Sequence, residues 1–296
     1  MIEYQLEAKH DILHAHFHAM ASPCELLIDT QDMSLAHKLC QLAVQELARI
    51  ERKFSRYRPD NVLWRINNAQ GSRVKIDPEI YHLLQFADQC YRLSKGLFDI
   101  TSGVYRRCWT FDGSDRFAEP NEVQALRAFV AWSKVRFDRH YIQMPNGFEL
   151  DFGGIGKEYA VDKIASICFE KAPKVSVLVN FGGDIQISRP RINNTTWQVG
   201  IDSPLAEGSA SAVLNIKHGA LATSGDANRY LLKDGIRYSH IINPRTGMPV
   251  SNAPRSVTVA APYCTQAGLL ATLAILNASN AESFLAHQDI QYWCYW

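Results

Sequence analysis

Apolar residues recur at helical spacing in several segments of the chain, and we predict that each of these segments forms a helix. The longest covers residues 32–54, and Asp32 or Ser34 can cap its N-terminus. The other predicted helices are Tyr81–Leu93, residues 121 to about 131, residues 156–171, Gln266–Leu276 and Ala281–His287.

Elsewhere apolar residues alternate with polar ones or form short runs, which is typical of strands. Residues 12–30 alternate around Pro23, and three short runs between residues 135 and 150 have the spacing of small hairpins. The other predicted strands are Val175–Asn180, Trp197–Ile201, Ser211–Ile216, Gly219–Ser224, Tyr230–Leu232, Tyr238–Ile242, Ser256–Ala261 and Ile290–Trp296. No linker or internal repeat divides the chain, so we expect one α+β domain over residues 1–296, with a largely antiparallel sheet system and packed helices.

A glycine-rich turn joins the last of the short apolar runs, Phe148–Leu150, to the central helix. Its glycines, Gly153, Gly154 and Gly156, let the backbone approach a ligand, and the free amides of a helix N-terminus favour an anion. With Lys157 beside them, the stretch is predicted to be strand, turn and helix, and it suits phosphate or pyrophosphate. The alternative is a plain strand–helix turn with a surface lysine. The stretch does not match the P-loop pattern.

Two further stretches allow more than one interpretation. Phe54–Asn61 is rich in arginine and tyrosine, which suits either a flat or anionic ligand or a solvated helix end. His14, His16 and His18 alternate on one strand face, where they could bind zinc or lie on a half-exposed strand. The second interpretation is favoured, because zinc sites usually draw their ligands from separate elements.

Composition and charge argue against several classes of protein. The 296 residues are 47% apolar and 21% charged, as in ordinary globular proteins. The net charge of +1 gives no reason to expect nucleic acid or a membrane surface as partner, and no apolar run approaches the ~20 residues of a membrane span. Seven scattered cysteines without a C-x-x-C pair, and an N-terminus without an export signal, lead us to expect buried thiols and a cytoplasmic location.

Several motifs recur along the chain, and each alone also permits a structural role. They are F-S-x-[YF] at Phe54–Tyr57, G-x-F-D-x-T at Gly96–Thr101, L-D-x-G-G-I-x-K at Leu150–Lys157, N-x-G-G-D at Asn180–Asp184, A-T-S-G-D at Ala222–Asp226 and Y-S-H-I-[ID]-x-P-x-T-G at Tyr238–Gly247. Together and in this order they resemble the ApbE family, the FAD:protein FMN transferases, over roughly residues 17–280.

The resemblance implies an ApbE-like (T-fold-like) fold with FAD in a cleft. It also implies an enzyme that cleaves the FAD pyrophosphate, attaches FMN to a threonine or serine hydroxyl of an acceptor protein and releases AMP. By the same resemblance His240 and Lys157 are the catalytic candidates, and Mg²⁺ at the pyrophosphate would be bound by the main chain of Gly156 and by Thr272. The positions that would bind FAD are Met20, Tyr57, Asp99, Gly154, Asp162, Asn180, Gly183, Asp184, Thr223, Ser224, Asp226 and Arg245.

This chain departs from the family pattern at four positions. Gly268 stands where the family has an acidic metal ligand, and Glu158, Asn243 and Ala21 replace a usual Gly, Asp and Gly. Losing a carboxylate removes charge on which Mg²⁺ depends. Two hypotheses follow: an active flavin transferase with a weakened metal site, or an FAD-binding relative that carries flavin without transferring it. We expect Gly268→Asp to raise Mg²⁺ affinity.

Overall fold

The computed structural model describes residues 2–192, 195–202, 210–226 and 229–296. Its helices are α1 (Met33–Phe54), α2 (Val62–Asn67), α3 (Pro78–Leu93), α4 (Pro120–Arg127), α5 (Gly156–Lys171), α6 (Cys264–Leu276) and α7 (Ala281–Ala286), with 3-10 turns at Ile100–Arg107, Trp132–Lys134 and Ala278–Asn280. Its strands are β1 (Tyr4–Lys9), β2 (Ile12–Ala19), β3 (Ser22–Ile28), β4 (Val74–Lys75), β5 (Arg136–Phe137), β6 (Tyr141–Gln143), β7 (Val177–Phe181), β8 (Asp184–Ile187), β9 (Trp197–Asp202), β10 (Ala210–Ile216), β11 (Gly219–Gly225), β12 (Tyr230–Lys233), β13 (Ile236–Ile242), β14 (Pro249–Ser251), β15 (Ser256–Ala261) and β16 (Tyr292–Tyr295).

An eight-stranded sheet forms the centre of the fold, in the order β1-β2-β3-β7-β8-β11-β15-β16. Its neighbouring strands all pair antiparallel, which confirms the predicted α+β class. Three small sheets, β9–β10, β12–β13–β14 and β4–β6–β5, surround it. Within the described ranges, no helix combines the length and apolarity that crossing a bilayer requires.

The two faces of the central sheet are covered differently. In β7, Val177, Val179 and Phe181 point into the main core with α1, α5 and α6, as the two-residue strand period dictates. The intervening Leu178 belongs to a second apolar cluster, which includes Trp197 of β9. The sheet is therefore buried on both faces at its centre, where α5 packs on β7 and β8 and α6 packs on β8, β11 and β15.

The amphipathic helices lie close to their predicted ranges. Helix α1 begins after Asp32, whose Oδ1 accepts the amide of Leu35 at 3.0 Å, and it buries an apolar stripe from Ala36 to Phe54. Helix α3 begins three residues earlier than predicted, at Pro78, because Asp77 caps it. Helix α4 ends at Arg127, before the predicted end near residue 131.

The predicted strand at Phe148–Leu150 is wrong. The segment forms no strand, and the side-chain amide of Asn67 takes both main-chain groups of Leu150. Asn67 Oδ1 accepts the amide of Leu150 at 2.8 Å, and its Nδ2 donates to the Leu150 carbonyl at 3.0 Å. The third strand of this small sheet is β4, which pairs with β6.

Candidate functional site

The glycine turn and the first residues of α5 form the floor of the site. The amides of Ile155 and Gly156 donate to the carbonyl of Phe152 at 2.9 and 2.7 Å, which folds the turn tightly. A Cβ at Gly154 would lie 3.3 Å from the ring of Phe98, so glycine permits this close approach. No side chain of the described residues caps α5, and N–H groups of its first turn beyond Gly156 can face an anion.

Lys157 is held by a carboxylate from the sheet. Its Nζ lies 2.7 Å from Oδ2 of Asp184, and Asp184 is fully buried at the start of β8. Burial alone would lower the pKa of Lys157, but the Asp184 carboxylate raises it above its ordinary value. Lys157 is therefore a paired, partly buried cation beside the helix N-terminus, and phosphate binding at this turn stays a prediction.

The N-x-G-G-D motif is a two-residue hairpin turn between β7 and β8. Gly182 and Gly183 both have positive φ, at 60° and 93°, as a primed turn requires. Asn180 Oδ1 accepts the amide of Gly183 at 2.9 Å and fixes the turn. A Cβ at Gly182 would lie 2.9 Å from Cβ of Ser22 and 3.7 Å from Nζ of Lys157, so this glycine allows the turn to close over the lysine.

Hydroxyl groups at the end of β11 complete this part of the site. The amide of Thr223 donates to Asp184 Oδ1 at 3.3 Å, and its hydroxyl lies 2.8 Å from that of Thr258. Ser224 Oγ lies 3.0 Å from Oγ1 of Thr272 on α6. Contacts thus connect Lys157, Asp184 and the main chain of Thr223, and a separate contact connects Ser224 with Thr272.

Glu158 is a site residue that the sequence treated only as a departure from the motif. Its side chain is 8% exposed and lies against Gly268, where an added Cβ would be 2.7 Å from both Cγ and Oε1. Oε2 of Glu158 has no hydrogen-bond partner among the described residues. Burial, followed by the charge of Asp184, raises the pKa of Glu158 to about 8.

His240 lies on β13 with its side chain turned inwards. Its Nδ1 is buried without a hydrogen-bond partner in the described part of the chain, and its ring meets the edge of Phe111 with centroids 6.4 Å apart. Burial lowers the pKa of His240 to about 4, and the charges of Arg229 and Arg106 act in the same direction. The imidazole is therefore neutral at pH 7 and can accept a proton.

The remaining predicted flavin contacts lie on loops and at the far end of β11. Tyr57 is 79% exposed, and its neighbour Arg56 ties the loop to Asp151 Oδ2 at 3.0 Å. Asp226 accepts a hydrogen bond from Arg237 Nε at 2.8 Å. Arg245 is exposed in the Pro/Gly turn after β13. The Tyr57 ring is thus accessible to a ligand, whereas Asp226 is committed to an ion pair and the Arg245 guanidinium donates to the carbonyl of Lys95.

Two predicted FAD-binding aspartates have their carboxylates engaged within the protein. Asp99 accepts the amide and hydroxyl of Thr101 at 2.8 and 2.6 Å and the amide of Trp132 at 3.1 Å. Asp162 caps α6: it accepts the amide of Cys264 at 2.7 Å and the amide and hydroxyl of Thr265 at 3.0 and 2.8 Å. These bonds give both aspartates structural roles, and their contact with FAD stays a prediction.

The N-terminal strands carry the Met20 turn and the histidine cluster. Met20 and Ala21 form the turn between β2 and β3, both with positive φ, and the Met20 amide donates to Glu51 Oε1 at 3.1 Å. His14 and His16 share one face of β2 as predicted, and with Glu7 they place three possible ligand atoms within 4.8 Å of one another. Zinc binding there remains the less favoured of the two interpretations.

The fold and site together define an ApbE-like α+β protein, built around a helix that begins with glycine and a lysine paired with a buried aspartate. The profile described as "ApbE family" matches residues 20–294, and the chain belongs to that family. Among solved structures, the ApbE protein of Thermotoga maritima superposes with a TM-score of 0.85 at 26% identity, covering 99% of this chain and 94% of that one. The flavinyl transferase ApbE of Pseudomonas stutzeri shares the fold, with a TM-score of 0.82 at 22% identity over 99% of this chain and 90% of its own.

Curated relatives extend the similarity to named enzymes. The "FAD:protein FMN transferase" of Haemophilus influenzae is 28% identical over 246 residues, covering 78% of this chain and 70% of that protein. The protein of the same name from Treponema pallidum is 32% identical over 243 residues, covering 75% of this chain and 66% of its own length. These matches confirm the family resemblance drawn from the motifs.

Proposed function

We propose that this chain is an FAD:protein FMN transferase. It cleaves the pyrophosphate of FAD, attaches FMN to a threonine or serine hydroxyl of an acceptor protein and releases AMP. The names of the relatives support this activity. The observation that carries the proposal is the pair of Lys157 with the buried Asp184 at the N-terminus of α5, where a lysine cation lies beside a helix end that no side chain of the described residues caps.

The residues of the chain suit the transfer of a phosphoryl-linked group. Lys157 and the α5 amides hold phosphate oxygens and position the pyrophosphate. The acceptor hydroxyl oxygen forms a bond to the phosphorus of the FMN half, and the bond from that phosphorus to the bridging oxygen breaks. AMP leaves with the bridging oxygen, and the hydroxyl proton passes to the neutral ring of His240.

The oxygen donors beside α5 fit a magnesium ion. Mg²⁺ is a hard cation that prefers carboxylate and hydroxyl oxygens, and the site offers Thr272, Ser224 and the unpartnered carboxylate oxygen of Glu158 in the described chain. Gly156, whose main chain the family resemblance proposes as a ligand, begins the same helix. When bound, Mg²⁺ supplies positive charge that neutralises the pyrophosphate.

The cellular setting is a further proposal. All seven cysteines are free, and most are buried, which supports the reducing environment expected from their scattered positions. We therefore propose an acceptor protein in the cytoplasm.

AMP release from FAD tests the proposed function. The purified chain is incubated with FAD and a peptide bearing a flavinylation threonine, with and without Mg²⁺, and AMP and peptide-bound FMN are measured. We expect AMP and peptide-bound FMN in equal amounts, and we expect both to depend on Mg²⁺. A peptide with alanine in place of the threonine should yield no peptide-bound FMN. FAD that binds tightly but is recovered intact would overturn the transferase and favour the flavin carrier.

The role of His240 has its own test. Because a neutral imidazole acts in the chemical step, we expect His240→Ala to reduce kcat more than it weakens FAD binding. Equal losses in kcat and FAD affinity would assign His240 to binding alone.

A further inference from the structure

The face of α6 that meets α5 has no side chain at Gly268, and Glu158 fills the space. A Cβ at position 268 would lie 2.7 Å from Cγ and Oε1 of Glu158 and 3.0 Å from its Cδ. These distances are shorter than real Cβ contacts, so the two positions cannot both carry a side chain in this arrangement. The carboxylate of Glu158 therefore occupies the place that a side chain on α6 would take.

Among the described residues, this carboxylate lacks a counter-ion of its own. Glu158 is 8% exposed, and its Oε2 has no hydrogen-bond partner in the described ranges. Asp184 and Asp162 add negative charge around it, and the nearby cation, Lys157, is paired with Asp184 at 2.7 Å. A buried carboxylate left without a partner is strongly unfavourable, and a cation bound at Oε2 would remove that penalty.

Hydroxyl oxygens lie one helical turn away. Thr272 follows Gly268 by four residues on α6, so both face the same side, with about 5–6 Å between such positions. Its Oγ1 lies 3.0 Å from Ser224 Oγ at the end of β11. The Glu158 carboxylate lies against Gly268, and the Thr272 and Ser224 hydroxyls lie one turn further along the same side of α6. Oxygen groups of these kinds suit a hard divalent cation.

We propose that Glu158 is the carboxylate ligand of the divalent cation in this site, supplied from α5 in place of a ligand on α6. Positions 158 and 268 are two at which this chain departs from the family pattern, and their contact makes them a single exchange. The inference rests on the proposed function, because it assigns a ligand to the metal of that reaction.

Metal binding in the absence of FAD tests the assignment without using activity. Mn²⁺ serves as the probe, and its binding to the full chain is followed by the loss of the free-ion EPR signal and by calorimetry. We expect Glu158→Gln, which keeps the shape and removes the charge, to weaken Mn²⁺ binding by at least about tenfold. Glu170→Gln, at an exposed position on the same helix, is the matched control and should leave Mn²⁺ binding unchanged.

The reciprocal exchange gives the sharper result. Glu158→Gly combined with Gly268→Asp returns a carboxylate to the same space from α6, and we expect it to recover Mn²⁺ affinity to within about threefold of the unmodified chain. Thermal melting in EDTA confirms that each variant folds. If Glu158→Gln does not fold, Glu158→Asp replaces it, and the shorter side chain is expected to give an intermediate affinity.

The outcomes separate this inference from the proposed function. Unchanged Mn²⁺ affinity in Glu158→Gln, or no saturable Mn²⁺ binding by the unmodified chain, overturns the assignment even if AMP and FMN-peptide are produced. Loss of Mn²⁺ binding in Glu158→Gln supports the ligand role, and an unmodified chain that binds Mn²⁺ but leaves FAD intact would reject only the transferase.

Discussion

Substitution of Gly268 by alanine tests the packing on which the metal assignment depends. The added Cβ would lie 2.7 Å from Cγ and Oε1 of Glu158, so Glu158 must move out of its position. Glycine to alanine inside a helix gains about 1 kcal/mol of stability, whereas overpacking a filled interior costs about 1–3 kcal/mol. We therefore expect Gly268→Ala to lower the free energy of unfolding by up to about 2 kcal/mol.

Removing the Glu158 side chain should reverse the sign of the stability change that Gly268→Ala causes. In Glu158→Ala the space is open, and adding Gly268→Ala should then raise the free energy of unfolding by about 1 kcal/mol. The two substitutions are expected to couple by about 1–3 kcal/mol in a double-mutant cycle. The effect of Glu158→Ala itself cancels in the cycle, so its unknown sign does not matter.

Urea unfolding followed by tryptophan fluorescence measures the four free energies. EDTA is present throughout, because a bound cation would add its own stabilisation. A parallel cycle that pairs Gly268→Ala with Glu170→Ala, an exposed residue of α5, should show no coupling. Coupling below about 0.5 kcal/mol between positions 158 and 268, the scatter of independent sites, would refute the contact.

Three further predictions follow from the backbone and the charges. Ala21 has a φ of 57°, so Ala21→Gly should relieve left-handed strain and raise the free energy of unfolding by about 0.5–1 kcal/mol net. Burial alone would raise the pKa of Glu79, but hydrogen bonds from Arg49 and Lys53 lower it to about 2. Glu79→Gln should therefore lower the free energy of unfolding by about 2 kcal/mol at pH 7. This difference between the variant and the unmodified chain should vanish as pH falls from about 4.5 through about 2. His240, with its pKa near 4, should show neutral imidazole shifts by NMR at pH 6.

Each of these predictions has a contrary result. Ala19→Gly, in the buried strand before the turn, is the control for Ala21→Gly and should destabilise. A Glu79→Gln difference that stays constant between pH 7 and pH 3 would rule out the ionised carboxylate as its source. A His240 titration near pH 6.5 would show that the ring is solvated and not held neutral by burial.

The parts of the fold that the sequence predicted are those encoded by local periodicity. Helix α5 was expected at about 156–171 and observed at Gly156–Lys171, because its apolar stripe and the glycines before it are local signals. The short strand β8 was not predicted, because its four residues gain their structure from pairing with β7 and β11. At Phe148–Leu150 the apolar run suggested a strand. The side chain of Asn67, which is distant in sequence, instead forms hydrogen bonds with the N–H and C=O groups of Leu150.

The candidate site was predicted residue by residue, but its internal contacts were not. The motifs identified Lys157 and Asp184, because glycine turns and polar residues at strand ends stand out in the chain, and the family resemblance added Thr272. They gave no sign that Lys157 is paired with Asp184. Nor did they show that the carboxylate of Asp162 accepts hydrogen bonds from the N-terminus of α6. Such pairings depend on which ends of helices and strands meet, and that is set by tertiary packing.

The relation between positions 158 and 268 shows why this matters for function. Compared position by position, the sequence has a glycine that became glutamate and a carboxylate that became glycine, two separate losses. In the structure Glu158 fills the space opposite Gly268. Under the proposed assignment the carboxylate is retained, and only the helix that carries it has changed. Gly268→Asp alone would then crowd two carboxylates into one space, which offsets the gain in Mg²⁺ affinity expected from the sequence. The flavin-carrier hypothesis rested mainly on the missing ligand at 268, and a carboxylate supplied from α5 removes that support.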